Sequence, residues 1–333
     1  MAKIDTISKA EALKQQSRQL RGNLARDLAD TGTPFDGAGY GLLKFHGIYQ
    51  GYDRDSATER KQRGDDKHWQ FMVRVRIPGG RLTAAQYLVL DDLADRHGNG
   101  TLRITTRQSI QFHGVVKPGL KAAIAEINHA LLTTLCACGD VVRTVTMVPA
   151  PIRDAVHRRI QEEGRRLALH LLPTTGAYHE IWLDGEKVTP EEEPPDPLYG
   201  DRYLPRKFKL GLAIPEDNTI DVLTNDVGIV ALFEGEVLTG YNFFLGGSHG
   251  MTHNKPETYP RMASPVAFVE PGDLLEAGAA AVRLHRDWGD RANRRHARLK
   301  YVIAEQGEDW ARARLSEYLG KALAPCRPMP EFQ

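Results

Sequence analysis

The stretch FMVRVRI alternates: Phe71, Val73, Val75 and Ile77 fall on one face, Met72, Arg74 and Arg76 on the other. That period of two specifies a half-buried strand. After Pro78-Gly79-Gly80, Thr83 is placed to cap a helix carrying Tyr87, Leu90 and Ala94, and Gly98 closes it. TLRIT and IQFHGVV predict two short strands around TRQS, a hairpin loop. Leu120, Ile124, Ile127, Leu131 and Leu135 then recur at helical spacings, and VVRTVTMV predicts a last strand. The order β-α-β-β-α-β is that of the ferredoxin-like unit.

Patterning on either side is plainer. Residues 8–30 have helical spacing, TGTPFDGAGYG ends that element, LLKFHGIYQ predicts a strand, and a charged loop runs from Asp53 to Lys67. From Pro151 an amphipathic helix extends to about Leu172. AYHEIWLDGE predicts a strand and turn, EEEPPDPLYG a loop, and KFKLGLAI, TIDVLT and GIVALFEG three strands before the glycine-rich GYNFFLGGSHGMTH. The remainder is mostly helical, with a basic cluster at RDWGDRANRRHARLK. The fold class expected is α+β, with an N-terminal helix, strand and loop over 1–64, the ferredoxin-like half-domain over 65–150 and a mixed α+β domain over 151–333.

Composition narrows the function. The chain has 333 residues, 41% hydrophobic and 26% charged, as in a globular protein. With 44 basic and 43 acidic side chains the net charge is +1, so bulk charge calls for neither nucleic acid nor an anionic membrane. No apolar run approaches the roughly 20 residues that span a bilayer. The polar N-terminus has no apolar signal core. A cytoplasm-like compartment is expected, and a plastid stroma is compatible with the same features. Cys136, Cys138 and Cys326 are too few for a disulfide framework or a four-thiolate metal site. There is no GxGxxG after a strand and no P-loop lysine motif.

The informative feature is where cations sit. Arg74 and Arg76 share one strand face, Arg103 and Arg107 another, Lys207 and Lys209 a third, and Arg143 lies inside an apolar strand. Solvated strand faces or distant salt bridges would give the same pattern. The neighbours Thr105, Gln111 and His113 add neutral donors beside Arg103 and Arg107. An odd-length loop at TRQS would put all five on one side, and a two-residue turn would split them. Arginine forks suit carboxylates, so a ligand with many carboxylates fits better than one small anion. Gly246-Gly247 with Gly250 would let backbone approach a flat ligand, or make a turn. The C-x-C at 136–138 fits core residues better than a metal pair, and His113 and His179, each taken alone, read as structural histidines.

In order along the chain, LKFHGIYQGYDRD, FMVRVRIPGG, GTLRITTRQSIQFHGV, ACGDVVR, AYHEIWLDGE, LYG..YLPRKFK, LTNDVG, GYNFFLGG and RDWGDR...ARLKY resemble the siroheme-dependent nitrite and sulfite reductases, specifically the assimilatory sulfite-reducing branch. The resemblance runs from about residue 10 to the end and implies a siroheme-binding domain over 151–333. It implies reduction of sulfite to sulfide on siroheme, whose iron is bridged through a cysteine to a 4Fe-4S cluster. Carried over by motif, Arg74, Arg143, Lys207 and Lys209 would grip sulfite and supply protons. Arg103, Thr105, Arg107, Gln111 and His113 would hold siroheme carboxylates, with Gly246 and Gly247 beside the cofactor. Electrons would come from ferredoxin or a flavoprotein.

Lysine at both 207 and 209 favours sulfite, because nitrite reductases of the family put asparagine at the second position. Val142 and Thr144 replace the asparagines usual on either side of the arginine. None of the three cysteines matches the cluster positions. The expectation is therefore a portion of such an enzyme whose cluster ligands lie outside this chain, with little or no turnover alone. A nitrite reductase and a tetrapyrrole-binding protein without redox activity are the competing readings. An RNA-binding sheet is disfavoured, since only Phe112 offers a stacking ring on the central strands.

Overall fold

The computed structural model describes residues 7–30, 34–149, 151–176 and 193–333, with the backbone of 182–183 and 186–187. The N-terminal segment is two helices rather than one, α1 (Lys9–Gln15) and α2 (Leu24–Ala29), because Arg18, Gln19 and Leu20 take positive φ between them. There follow α3 (Gly37–Leu43), β1 (Ile48–Tyr52), α4 (Ala57–Arg63), β2 (Trp69–Val75), α5 (Ala84–His97), β3 (Leu102–Ile104), β4 (Ile110–Val115) and α6 (Leu120–His129). Thr83 caps α5 as expected: its hydroxyl accepts from Gln86 N–H at 3.1 Å, and the Gln86 side chain accepts from Thr83 N–H at 3.1 Å.

The first sheet has the order β1-β2-β4-β3, antiparallel throughout. Phe71, Val73 and Val75 pack on Leu90, Leu93 and Ile127 of the two helices behind it. This is the ferredoxin-like arrangement with one change. The sixth predicted element does not join it. Residues 146–147 of VVRTVTMV form β5 (Thr146–Met147), which pairs in parallel with β8 (Leu210–Ala213) in a second sheet. Val141, Val142, Val145 and Met147 are all buried, so this stretch needs cover on both faces, which a sheet backed by helices on one side cannot give. β1 takes the vacant edge beside β2, where Ile48 joins the first core.

The rest of the chain comprises α7 (Ala155–His170), the hairpin β6 (Trp182–Leu183) and β7 (Glu186–Lys187), then β8, β9 (Val227–Glu234), β10 (Val237–Leu245), β11 (Ser264–Val269), α8 (Leu274–Trp288), α9 (Leu299–Gln306) and α10 (Glu308–Leu319). Apart from β6 and β7, AYHEIWLDGE, with His179, lies outside the described residues. TIDVLT is a turn rather than a strand, since the Asp217 and Asn218 side chains take the N–H groups of Thr219 and Val222. The second sheet, β11-β10-β9-β8-β5, is mixed, and its core with α7 and α8 is separate from the first. No helix among the described residues is long and apolar enough to cross a membrane.

Two kinds of polar tie join these bodies. The buried Arg76 donates to the carbonyls of Val142 at 3.0 Å and Ala168 at 3.1 Å. Lys14 of α1, also buried, pairs with Glu11, donates to the Leu204 carbonyl at 2.6 Å and lies 3.6 Å from Asp140. Arg291 closes on Glu11, and Arg294 forks onto Asp140 at 2.8 and 2.9 Å. Removing one member strands the others' charge in a buried site. Glu11→Ala is therefore expected to lower stability by about 3 kcal/mol, read as a reduced urea midpoint; an unchanged midpoint would show that the network is not load-carrying.

Candidate functional site

The β3–β4 hairpin sets the first half of the site. Thr105 N–H donates to Ser109 O at 2.8 Å and Gln108 N–H to Thr105 O at 2.9 Å, with Gln108 at φ 53°. The loop is odd-length, and the register pairs Arg103 with Gln111 and Gln111 with Arg74. Arg103, Gln111 and Arg74 thus form one row across three strands on the face away from the helices, and His113 follows two residues after Gln111. Gln111 links its neighbours: with its amide oxygen toward Arg74 it accepts from Nε at 3.0 Å, and its NH2 donates to His113 Nε2 at 3.1 Å. Burial, then Arg103 and Arg74, push the His113 pKa down. The Thr105 hydroxyl is turned to the loop, accepting from the N–H groups of Arg107 and Ser109.

Arg107 does not join the row. It reaches into the second body and donates to Thr144 O at 2.7 and 3.2 Å, Leu210 O at 2.7 Å and Asn225 Oδ1 at 2.8 Å. Gly246 and Gly247 end β10 close to this point. A Cβ at Gly247 would come within 2.1 Å of Leu223 O and 2.6 Å of Asn225 O, so the room left by that glycine is filled by the chain's own backbone.

The second half is set by a parallel bridge between Val142 and Phe208. Both side chains are buried in the second core, so alternation turns Arg143, Lys207 and Lys209 to the opposite face. Arg143 N–H donates to Phe208 O at 2.8 Å, and its Nε to Ala137 O at 2.9 Å. The two halves meet at Cys138. Its buried thiol accepts from Arg74 at 2.9 Å and from Arg143 at 3.5 Å. Burial first, with Cys138, raises the Tyr49 pKa to about 12 against the pull of Arg143 and Arg74.

Burial lowers the pKa of both lysines, to about 8 for Lys209. Arg298 adds to this at both, with Arg206 and Arg143 beside Lys207 and Arg107 beside Lys209; Asp226 opposes it. Arg74 and Arg143 thus share Cys138, Arg143 acts on Lys207, and Lys207 acts on Lys209. Neither lysine ammonium nor the Arg103 guanidinium meets a carboxylate or hydrogen-bond acceptor within bonding distance among the described residues. Such a surface suits ligands with several anionic oxygens. Sequence reasoning missed Tyr49, Arg206, Asp226 and Arg298 and took Cys138 for a core residue; the signal for Asp226 was an acid directly before the apolar strand VGIVAL.

A family model described as Nitrite/Sulfite reductase ferredoxin-like half domain matches residues 61–130, and one described as Nitrite and sulphite reductase 4Fe-4S domain matches 163–323. The sulfite reductase (NADPH) hemoprotein beta-component of Myxococcus xanthus is 48% identical over 326 residues, which take in 97% of this chain and 57% of that protein. The same component of Shouchella clausii is 45% identical over 326 residues, 96% of this chain and 56% of its own length. The chain thus spans little more than half the length of these relatives. Among solved structures, the Mycobacterium tuberculosis NirA protein superposes with a TM-score of 0.73 at 24% identity, covering 98% of this chain and 56% of that one. Dissimilatory sulfite reductase I gives 0.55 at 12% identity, covering 98% and 91%. Both are likenesses of fold.

The depressed Lys209 pKa has a sign. The folded chain releases that proton near pH 8, the unfolded chain near 10.5, so the fold is penalised below 8 and relieved as pH rises through this window. An oxyanion seated on the ammonium offsets the penalty only while the proton is present. Sulfate, compared with chloride at equal ionic strength, is expected to raise the melting temperature more at pH 7 than at pH 9.5. Equal increments at the two pH values would rule out a lysine-held anion.

Proposed function

Since the chain belongs to the nitrite and sulphite reductase family, we propose that it is the part of a sulfite reductase hemoprotein that holds siroheme and grips sulfite. The observation carrying this reading is the convergence of Arg74, Arg143, Lys207 and Lys209 around Cys138 and Asp226, with ammonium groups left unpaired by the described protein residues. Lysine at both 207 and 209 is the ground for sulfite over nitrite.

Siroheme is a tetrapyrrole rimmed by carboxylates, and the donor set fits it. Arg103, Gln111 and His113 line up on the sheet face away from the helices, Arg103 without a bonded partner among the described residues, and Thr105 stands at the strand end. These residues would hold the carboxylates. Arg107 we assign to fixing the hairpin against the second sheet, and Gly246 and Gly247 to bringing backbone close at the end of β10. When bound, siroheme would supply the electron chemistry.

The chain's own residues do the rest. The guanidinium groups of Arg74 and Arg143 spread positive charge over sulfite oxygens, and a half-buried setting makes each interaction stronger than in open water. Lys207 and Lys209 are proton donors as oxygens leave as water. A lysine with a pKa near 8 gives up its proton more readily near neutral pH than an ordinary one.

The cysteines do not fit a 4Fe-4S cluster. Burial pushes the Cys136 thiol up to about 12 and the Cys326 thiol up to about 11; Cys326 donates to the Phe243 and Ala267 carbonyls. No three His, Cys, Asp or Glu side chains gather as a metal site among the described residues. We propose that the cluster ligands lie outside this chain.

Titrating the chain with siroheme, followed by visible absorption, tests the reading. Saturable binding near one equivalent is expected, weakened about tenfold in Arg103→Ala, the loss of one charged hydrogen bond. Lys209→Met is expected to leave siroheme binding intact while abolishing the spectral change on adding sulfite. A chain that binds no siroheme, or a K209M variant that responds to sulfite like the parent, would overturn it.

A further inference from the structure

Asp226 is fully buried immediately before β9 and serves three segments at once. Its Oδ2 accepts from the Lys209 backbone N–H at 2.9 Å. Both carboxylate oxygens accept from the Arg298 fork at 2.9 to 3.0 Å. Its carbonyl accepts from Gly246 N–H at 2.8 Å, and the next residue, Val227, donates to Lys209 O at 3.0 Å. Arg298 stands at the N-cap of α9. Asp226 therefore ties residue 209, just before β8, to the N-cap of α9 through its side chain, and to Gly246, just after β10, through its main chain.

Both members of the Asp226–Arg298 pair also act on the charge of the two lysines, Arg298 as the strongest of the neighbouring charges and Asp226 against it. Around Lys209 stand Arg298, Arg107 and Lys207, and around Lys207 stand Arg298, Arg206 and Arg143. Asp226 is the acid whose field reaches both lysines, while His285 and Lys300 feel the pair from elsewhere in the fold. The two partners act on the lysines with opposite sign: the carboxylate favours their protons and the guanidinium disfavours them.

We propose that Asp226 and Arg298 are positioning residues that tune the oxyanion grip, fixing where Lys207 and Lys209 stand and how tightly each holds its proton. The oxyanion part of this inference rests on the function proposed above; the tuning part does not. A purely mechanical tie would be loosened alike by loss of either member. A tuning pair responds in opposite directions.

The full chain with 13Cε-labelled lysine, titrated by NMR, separates these cases. Asp226→Asn is expected to shift the Lys209 midpoint downward from about 8, by roughly one pH unit. Arg298→Gln is expected to raise it by a similar amount, and Arg298→Lys, which keeps the charge, to leave it nearly in place. Sulfate affinity at pH 7.5, measured on the same samples, should fall several-fold in D226N and hold or rise in R298Q. Midpoints that move the same way in both variants, or stay put in both, overturn the proposal. If D226N does not fold, R298Q decides alone: a rise supports tuning, and a fall or no change refutes it. Opposite midpoint shifts in a chain that binds neither sulfate nor sulfite would uphold the tuning pair and refute the proposed function.

Discussion

Like charges placed side by side repel, and this protein gathers arginines and lysines where two sheets meet. Coulomb repulsion between half-buried cations is several times that in water, so the arrangement demands rigid support. The support comes from the backbone. Arg143 is fixed by Phe208 O and Ala137 O, Lys209 by the Asp226 carboxylate, and Arg74 by its place in β2. The side chains at the junction are held because the backbone under them is held, and the positive field that results, offset only in part by Asp226, is the property a polyanionic ligand would exploit.

Arginines in this molecule do two unlike jobs, and their positions along the chain do not tell them apart. Arg74 and Arg76 are two residues apart on one strand face, yet Arg74 meets a thiol and an amide at the open side while Arg76 is buried on main-chain carbonyls. Arg103 and Arg107 divide in the same way. Whether a guanidinium is a grip or a strut depends on where the second body lies, and that is tertiary information.

Much of the fold was legible because it is written in local periodicity. The alternation of FMVRVRI, the Thr83 cap and the stripe of α5 match the reading, whereas α6 stops at His129, so that Leu131, at positive φ and exposed, and Leu135 lie beyond the helix expected to carry them. The failures share a cause. VVRTVTMV is buried along its whole length, so its pattern announces burial without saying in which sheet; of LLKFHGIYQ, read as a strand, Leu42 and Leu43 end α3, residues 44–46 form a tight helical turn, and only Ile48–Gln50 enter β1 at the vacant edge. TIDVLT has strand propensity, but the Asp217 and Asn218 side chains compete for its backbone. In the site, Arg74 and Arg143 meet at Cys138 while Arg107 is drawn off into the second body, and the parts played by Asp226, Arg298 and Cys138 were not legible because a partner distant along the chain gives each its meaning.

The anchorage of Arg107 bears on how freely such a chain can vary. Of its four hydrogen bonds, three end on main-chain oxygens, those of Thr144 and Leu210, and every amino acid carries that oxygen. Side chains at 144 and 210 can drift without erasing the socket, so long as their backbone keeps its course. Only the Asn225 contact depends on residue identity. The clasp between the two bodies is thus written mainly in a part of the polypeptide that point mutation cannot remove.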